Sequence, residues 1–303
     1  MTFHVPFEKP VALFVERINK GERPQKCGSI FDESPLKIAV QLPVWPDSVR
    51  GIPNGVLRSA LFGAVKKGER RYMQRERIAA LEGIEIFYTG QRLDQGDLDT
   101  WISGLHFACL QEMGLHCHFT AYAILKLMRK TDTGKNRMIL DTRLSRLNAT
   151  AVRIKTGKYS YEGSLIDSVY RDEETREYVV VFNPKMQALF ASTQFTQIDL
   201  DVRQELDGKP LAQWLHCFYA SHAKPFRYKA TTLLTLSGSE NSAPHSARQK
   251  LFKALDAVAE ASNRHVQPFS YEIQGDLVHV KRRPSRSQQR HLKKNLALNA
   301  SRS

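Results

Sequence analysis

Two stretches of this chain space cationic, amide and hydroxyl side chains in a way that suits hydrogen bonding to base edges in a duplex. In RMILDTRLSRLN, about 100° per residue puts Leu140, Leu144 and Leu147 on one stripe, which must be core. Lys135, Met138, Thr142 and Arg146 fall opposite, with Arg137 and Arg143 on the flanks. Arg146 or Lys135 can donate to guanine, and Thr142 or Met138 can touch a thymine methyl. The flanking arginines can lay down their stems and reach phosphate. In SARQKLFKALDAVAEA the same arithmetic makes Leu251, Leu255 and Val258 core and turns Ser246, Gln249, Lys250 and Lys253 outward. Gln249 suits adenine N6/N7, and the two lysines suit guanine or the backbone. A solvated helix face also carries Lys and Gln, so the stripe as a group has more weight than any one contact.

The elements that must position these stripes follow one grammar twice. From Phe119 to Ile166, FTAYAILKLM leads through RKTDTGKN into the first basic helix and then AVRIKTGKYSYEGSLI. From Tyr228 to Val280, YKATTLLTL leads through SGSENSAPH into the second basic helix and then PFSYEIQGDLVHV. Helix, turn, helix, β-hairpin is the winged form of the helix-turn-helix, whose second helix enters the DNA major groove. The expected fold is α+β, two tandem winged-helix domains spanning 36–183 and 184–283. They follow an arm over 1–35 and precede a basic disordered tail over 284–303, in which a short basic helix is expected at the end. Upstream, VLRSALFGAV reads as a helix, IEIFYTG as a strand, and 97–111 as a helix with core face Leu98, Trp101, Ile102 and Leu105. A three-stranded meander is expected after the first basic helix, with a basic turn at Thr156-Gly157-Lys158 and an acidic one at Asp172–Thr175. Consecutive turns lie at opposite ends, so only the Lys158 turn would approach phosphate. Lys281 and Arg282, at the end of the second hairpin, are further candidate phosphate contacts.

A chain of 303 residues accommodates two ordinary domains, and 25% charged with 42% hydrophobic residues are globular values. The net charge of +14 points to anionic partners without bearing on fold. Eight basic residues and no acidic one follow Val280, so the tail attracts phosphate without sequence preference. Cys27, Cys109, Cys117 and Cys217 show no paired spacing. With no secretory signal and no run of 18 apolar residues, the expectation is a cytosolic protein with reduced thiols and no membrane role. The patch VALFVERI, with Val11, Leu13, Phe14 and Ile18, is read as a strap on the first domain or a host contact.

Enzyme signatures are sparse. No GxxxxGK[ST] occurs, so no phosphate-binding loop for ATP is recognisable. His116-Cys117-His118 invites comparison with nickases that hold a divalent metal on two histidines beside a nucleophilic tyrosine, here Tyr122. The expectation places the pair in a link between helices, with incidental histidines. Cys109 with the same triplet offers four zinc ligands, but three consecutive ones share a tetrahedron poorly, so no metal and no cofactor is assigned.

Four blocks together carry a resemblance: LPVWPDSVRGIPNGVLRSALF (42–62), SRLNATA (145–151), ASHAKP (220–225) and GDLVHVKR (275–282). They resemble the TrfA plasmid replication initiators over about Leu42 to Arg282. The resemblance implies binding to directly repeated origin sites (iterons), opening of adjacent AT-rich duplex, and recruitment of the host initiator and replicative helicase. It also implies copy-number control through dimers, with monomers as the active form. Two departures stand out. Where some members carry a sliding-clamp peptide of the Gln-Leu-Ser-Leu-Phe type, this chain reads LKIAVQLP, so clamp binding is not carried over. The extension after Arg283 is additional. The alternatives are a winged-helix transcriptional repressor and a metal-dependent nicking enzyme using His116, His118 and Tyr122.

Overall fold

The structure, a computed structural model, describes residues 42–300 except 44, 66, 67, 69, 111–115, 176, 192, 193 and 242; side chains of 116 and 294–300 are also outside the description. The arm over 1–35, with Val11, Leu13, Phe14 and Ile18, and nearly all of the LKIAVQLP stretch lie outside the described residues.

In chain order the elements are β1 (Val49–Pro53), α1 (Asn54–Leu57), β2 (Phe62–Gly63), β3 (Tyr72–Arg77), β4 (Ile84–Gln91), β5 (Leu93–Asp94) and α2 (Gln95–Cys109). Next come β6 (His116–Thr120), α3 (Ala121–Leu127), α4 (Gly134–Asn148), β7 (Ala151–Thr156), β8 (Tyr159–Gly163), β9 (Ser168–Arg171) and β10 (Glu177–Val181). A 3-10 helix (Pro184–Phe190) leads to β11 (Phe195–Asp199), α5 (Leu200–Glu205), α6 (Pro210–Ala220), β12 (Tyr228–Lys229), α7 (Ala230–Leu236) and α8 (Pro244–Arg264). The described chain closes with β13 (Phe269–Gln274), β14 (Leu277–Arg282) and α9 (Arg286–Ala300).

Two runs of elements share one order and one sheet topology. In the first, α2, β6, α3, α4, β9 and β10 follow one another, and the strands lie β6-β10-β9. In the second, α6, β12, α7, α8, β13 and β14 do the same, with strands β12-β14-β13. In both, the last strand sits between the other two, and all pairings are antiparallel. The first run carries an insertion: β7 and β8 leave it and join β3 and β4 in a separate sheet ordered β3-β4-β7-β8. The expected meander is therefore split between two sheets. Ile154 and Val152 on β7 are buried against Ile86 and Tyr88 of β4, a partnership with residues more than sixty positions away.

Local chemistry explains the helix boundaries. Asp94 and Asp97 form a reciprocal capping box at the start of α2, at 2.8 and 3.0 Å. Thr120 and Thr133 cap α3 and α4 by accepting from Ala123 and Asn136. Pro244 occupies the first turn of α8, where its missing N–H costs nothing. The β13–β14 turn needs Gly275, whose φ of +62° suits the primed turns that match strand twist.

VLRSALFGAV is not one helix. Only Asn54–Leu57 is helical, and Ser59 then bridges to Ala80 before β2. Buried positions run through 54–57 and 59–63, too wide a face for a surface helix. The tail over 284–303, expected to be disordered at its start with a short basic helix at its end, carries a longer helix, α9, over Arg286–Ala300. Gln288 Nε2 donates to the Ala220 carbonyl at 2.8 Å, and Ser285 Oγ accepts from the Gln288 N–H at 3.3 Å.

Two apolar cores lie side by side. The first takes in α2, α3, α4, β10 and the 3-10 residues Met186, Leu189 and Phe190. The second takes in Val202, Leu206 and most of α6, α7 and α8. Residues 184–199, assigned to the second domain in the sequence reading, thus pack on the first: β11 pairs with β1 from Val49↔Asp199 to Pro53↔Phe195. Cys217 and Ala220 of α6 belong to the first core while Trp214, Leu215 and Phe218 belong to the second, so that helix serves both.

Candidate nucleic-acid interface

Leu140, Leu144 and Leu147 of α4 are buried, as are Leu251, Leu255 and Val258 of α8, which fixes the outward faces. On α4, Lys135, Met138 and Thr142 are exposed, Met138 by 63%. The Thr142 hydroxyl donates to the Met138 carbonyl at 2.9 Å. These three form a continuous edge at i, i+3 and i+7.

Arg146 does not belong to that edge. Its side chain is 10% exposed and its guanidinium pairs with the fully buried Asp97 of α2, with a second bond to Gln91 Oε1 at 3.2 Å. The capping box thus supplies a buried carboxylate that claims the arginine. Burial, then the charge of Asp94, pushes the Asp97 carboxyl up to about 6. Burial also works against the charge of Asp94, but the Arg70 guanidinium and the Asp97 N–H outweigh it and hold that carboxyl below its ordinary range. Arg143 packs its guanidinium over Gly96, where any side chain would collide with it. Arg137 is held by both oxygens of Asp132 at 2.6 Å.

Lys158 is exposed at the β7–β8 turn with its ammonium 5.4 Å from the Tyr159 ring centre. That hairpin belongs to the sheet with β3 and β4. The hairpin tied to α4 is β9–β10, where Asp141 of α4 accepts from Tyr178 Oη and pairs with Arg171 at 3.4 Å. Its turn is acidic, with Asp172 Oδ1 accepting from the Glu174 and Thr175 N–H groups. The expectation that Lys158 sits on the first wing is corrected accordingly.

On α8, Gln249 and Lys253 are exposed and have no partner among the described residues, and Lys250 is exposed beside them. With its amide oxygen turned toward the helix, Asn241 accepts from Ser246 Oγ at 3.2 Å, Ala247 N at 3.1 Å and Lys250 Nζ at 3.1 Å. Ser246 is half-buried. Asp256 and Glu260 follow on the later turns, and Arg264 at the end of the helix pairs with Glu205 and Glu260, so its cationic residues without an ion pair among the described residues lie in the first half.

The second hairpin has its own division of labour. Arg248 donates to the Gly275 carbonyl and lies 5.4 Å from the Phe252 ring centre, tying the β13–β14 turn to α8. Lys281 is exposed and pairs across the strands with Glu272. Arg282 is a strut: it donates to the His222 carbonyl at 2.9 Å and to Gln288 Oε1 at 3.2 Å, and burial lowers its guanidinium to about 10. It is therefore withdrawn from the phosphate contacts. Burial, with Arg58 nearby, likewise lowers His222 to about 4, and burial with Arg203 nearby lowers His216 to about 3.

Sequence reasoning missed Lys224, Phe226, Arg227 and Lys229. All are exposed, Phe226 by 72%, on the segment leading into β12, and Arg227 reaches Gln274 at 3.3 Å beside the hairpin turn. The alternation of basic and aromatic residues in KPFRYK was the available signal. His116 and His118 flank Cys117 on strand β6 rather than in a loop between helices, and Tyr122 is 55% exposed in the first turn of α3. No group of three or more His, Cys, Asp or Glu residues suited to a metal occurs among the described residues, nor does any helix long and apolar enough to cross a membrane.

Comparison with known proteins places these observations. The family model described as TrfA protein matches residues 32–282. The chain is 26% identical over 262 residues to the plasmid replication initiator protein TrfA of Escherichia coli, covering 84% of this chain and 65% of that protein. It thus spans about two thirds of the length of the curated relative it matches. Among solved structures, a selenomethionine derivative of domains 2 and 3 of RctB superposes with a TM-score of 0.51 at 12% identity, covering 77% of this chain and 98% of that one.

Proposed function

The chain belongs to the TrfA family, and we propose that it is a plasmid replication initiator that binds directly repeated origin sites through two tandem winged-helix units. The observation that carries this reading is the repeated order of helix, strand, helix, helix and two strands, with the same strand arrangement each time. In both copies the last helix turns an exposed edge outward, Lys135, Met138 and Thr142 on α4 and Gln249, Lys250 and Lys253 on α8, of which Gln249 and Lys253 have no partner among the described residues. Ser246, held by Asn241, stands at the start of the second edge. Lys224, Arg227, Lys229 and Lys281 supply charge for the phosphate backbone.

Two unlike units in series need no two-fold axis. Dimeric readers mirror palindromic operators, whereas one chain with two different reading helices fits an asymmetric site that recurs in one direction. With no recognisable ATP loop in the sequence, duplex opening draws on binding energy, DNA deformation and supercoiling, and fork unwinding on a recruited host helicase and initiator. The protein acts without a catalytic residue of its own, as a monomer in equilibrium with dimers, in the bacterial cytoplasm.

A second reading has one observation in its favour: the placement of His116 and His118 on a strand near Tyr122. Incubation with supercoiled origin plasmid and Mg²⁺ or Mn²⁺ separates the two. The initiator reading predicts plasmid that stays supercoiled, and replication in extract only when host helicase is added. Relaxed product lost on Tyr122→Phe would establish the nickase instead.

A further inference from the structure

The two halves meet through buried polar contacts rather than a linker. Arg203 of α5 is 1% exposed, and its guanidinium donates to Asp99 Oδ1 at 2.6 Å, to the Gln95 side-chain oxygen at 3.0 Å and to the Gln95 carbonyl at 3.1 Å. Both partners stand on α2, the helix that packs against α4. Around this centre, Trp214 Nε1 of α6 donates to the Ser59 carbonyl at 2.9 Å, and Arg58 donates to Ser221 Oγ at 3.0 Å. Arg92 reaches the Gly238 carbonyl and Glu240 Oε1, on the turn between α7 and α8, the latter at 2.9 Å. Arg129 and Lys130, just past α3, pair with Asp201 and Asp207. The β1–β11 pairing and the shared helix α6 add a strand ladder and two apolar faces.

Relative motion is the default for tandem domains joined by small polar interfaces. Here a hinge would have to uncover Arg203 and strand Asp99 and Gln95, and breaking a buried charged pair is among the costliest changes a fold can undergo. The contacts also bear on the two exposed helices: Gln95 and Asp99 fasten to Arg203 the helix α2 that packs against α4, and Arg92 holds the turn that precedes α8. Rotating one half would therefore move both edges.

We propose that this junction is a ruler: Arg203, with Arg92 as its outer strap, fixes the distance and rotation between α4 and α8 and so makes the protein selective for the spacing of the two half-sites it reads. This rests on the reading above, that both helices enter the duplex. Arg203 and Arg92 are positioning residues and touch no DNA. One inserted base pair shifts the second half-site by about 3.4 Å and about 35°, more than a fixed pair of helices can follow.

The test is a set of duplexes carrying the repeat with zero to three base pairs inserted between its halves, together with each half alone, titrated with full-length protein. The wild type is expected to lose at least about tenfold in affinity at a single insertion. Arg203→Met and Arg92→Met are each expected to shrink that penalty while binding the native spacing more weakly. Arg92 lies nearer the surface, so its variant keeps the test available if Arg203→Met melts early by circular dichroism. Wild-type affinity that is indifferent to spacing, while each half-site alone is still preferred over random DNA, overturns the ruler and leaves the reading standing. Loss of preference for either half alone overturns the reading, and the ruler with it.

Discussion

Gln249 and Lys253 stand exposed on the first half of α8 with no partner among the described residues, so alanine there removes groups that a ligand alone engages. Gln249→Ala should weaken binding to the repeat by roughly 1 to 3 kcal/mol, with less loss on random DNA and an unchanged melting temperature. Preference unchanged at every base of the repeat would remove Gln249 from the reading set. Arg146→Ala should behave in the opposite way: it leaves Asp97 buried beside Asp94 and costs on the order of 3 to 5 kcal/mol of stability, with Arg70 at 3.5 Å as partial compensation. Asp94 and Asp97 have capping-box spacing, but nothing local says which arginine a buried acid will claim. Histidine chemistry gives a pH prediction. Burial lowers His222 to about 4 and His216 to about 3, so on acidification from 6.5 the unfolded chain takes up protons first and stability falls. Asp97, raised to about 6, opposes this as a single group. The urea midpoint should drop between pH 7 and pH 5, and His222→Gln should flatten the drop. A midpoint that rises on acidification would contradict neutral burial of these rings.

Among the elements, α9 carries the clearest separable role. Deleting residues 284–303 removes Arg286, Arg290, Lys293, Lys294 and Arg302, which should lower affinity for random DNA and flatten its dependence on salt, because fewer counterions are released. Discrimination between repeat and random DNA should survive, and its loss would make the tail a reader. The truncation also uncovers the Ala220 carbonyl that Gln288 holds, so a modest loss of stability should accompany it. The helices that carry the reading edges were legible in the sequence because leucines recur at helical period and nothing else competes for that face. The hairpins were less so. Thr156-Gly157-Lys158 and Asp172–Thr175 are both good turns, and which sheet each joins is decided by distant partners, β4 for one and β6 for the other. VLRSALFGAV misleads for a related reason: it is apolar enough to be helical, yet its residues are buried on several sides, most of them in the first core with Ala64 against the second. The candidate site was half legible. The outward position of Lys135, Gln249, Lys250 and Lys253 was readable by period alone, whereas the withdrawal of Arg146 and Arg282 into internal contacts depends on acids and carbonyls that only the fold brings near.

At the scale of the whole molecule, a net charge of +14 draws the protein to any duplex, so affinity alone says little and preference says much. In the proposed reading, two unlike units on one chain, joined through α6 and the Arg203 cluster, suit a repeat that recurs in one direction. The measurement that bears most directly on this is a footprint of the purified protein on supercoiled origin DNA at near-physiological salt, without nucleotide. Protection of regularly spaced direct repeats in one orientation, saturating at one monomer per repeat, is the predicted result. A footprint confined to one inverted operator beside a promoter, or protection with no sequence preference, would contradict the account.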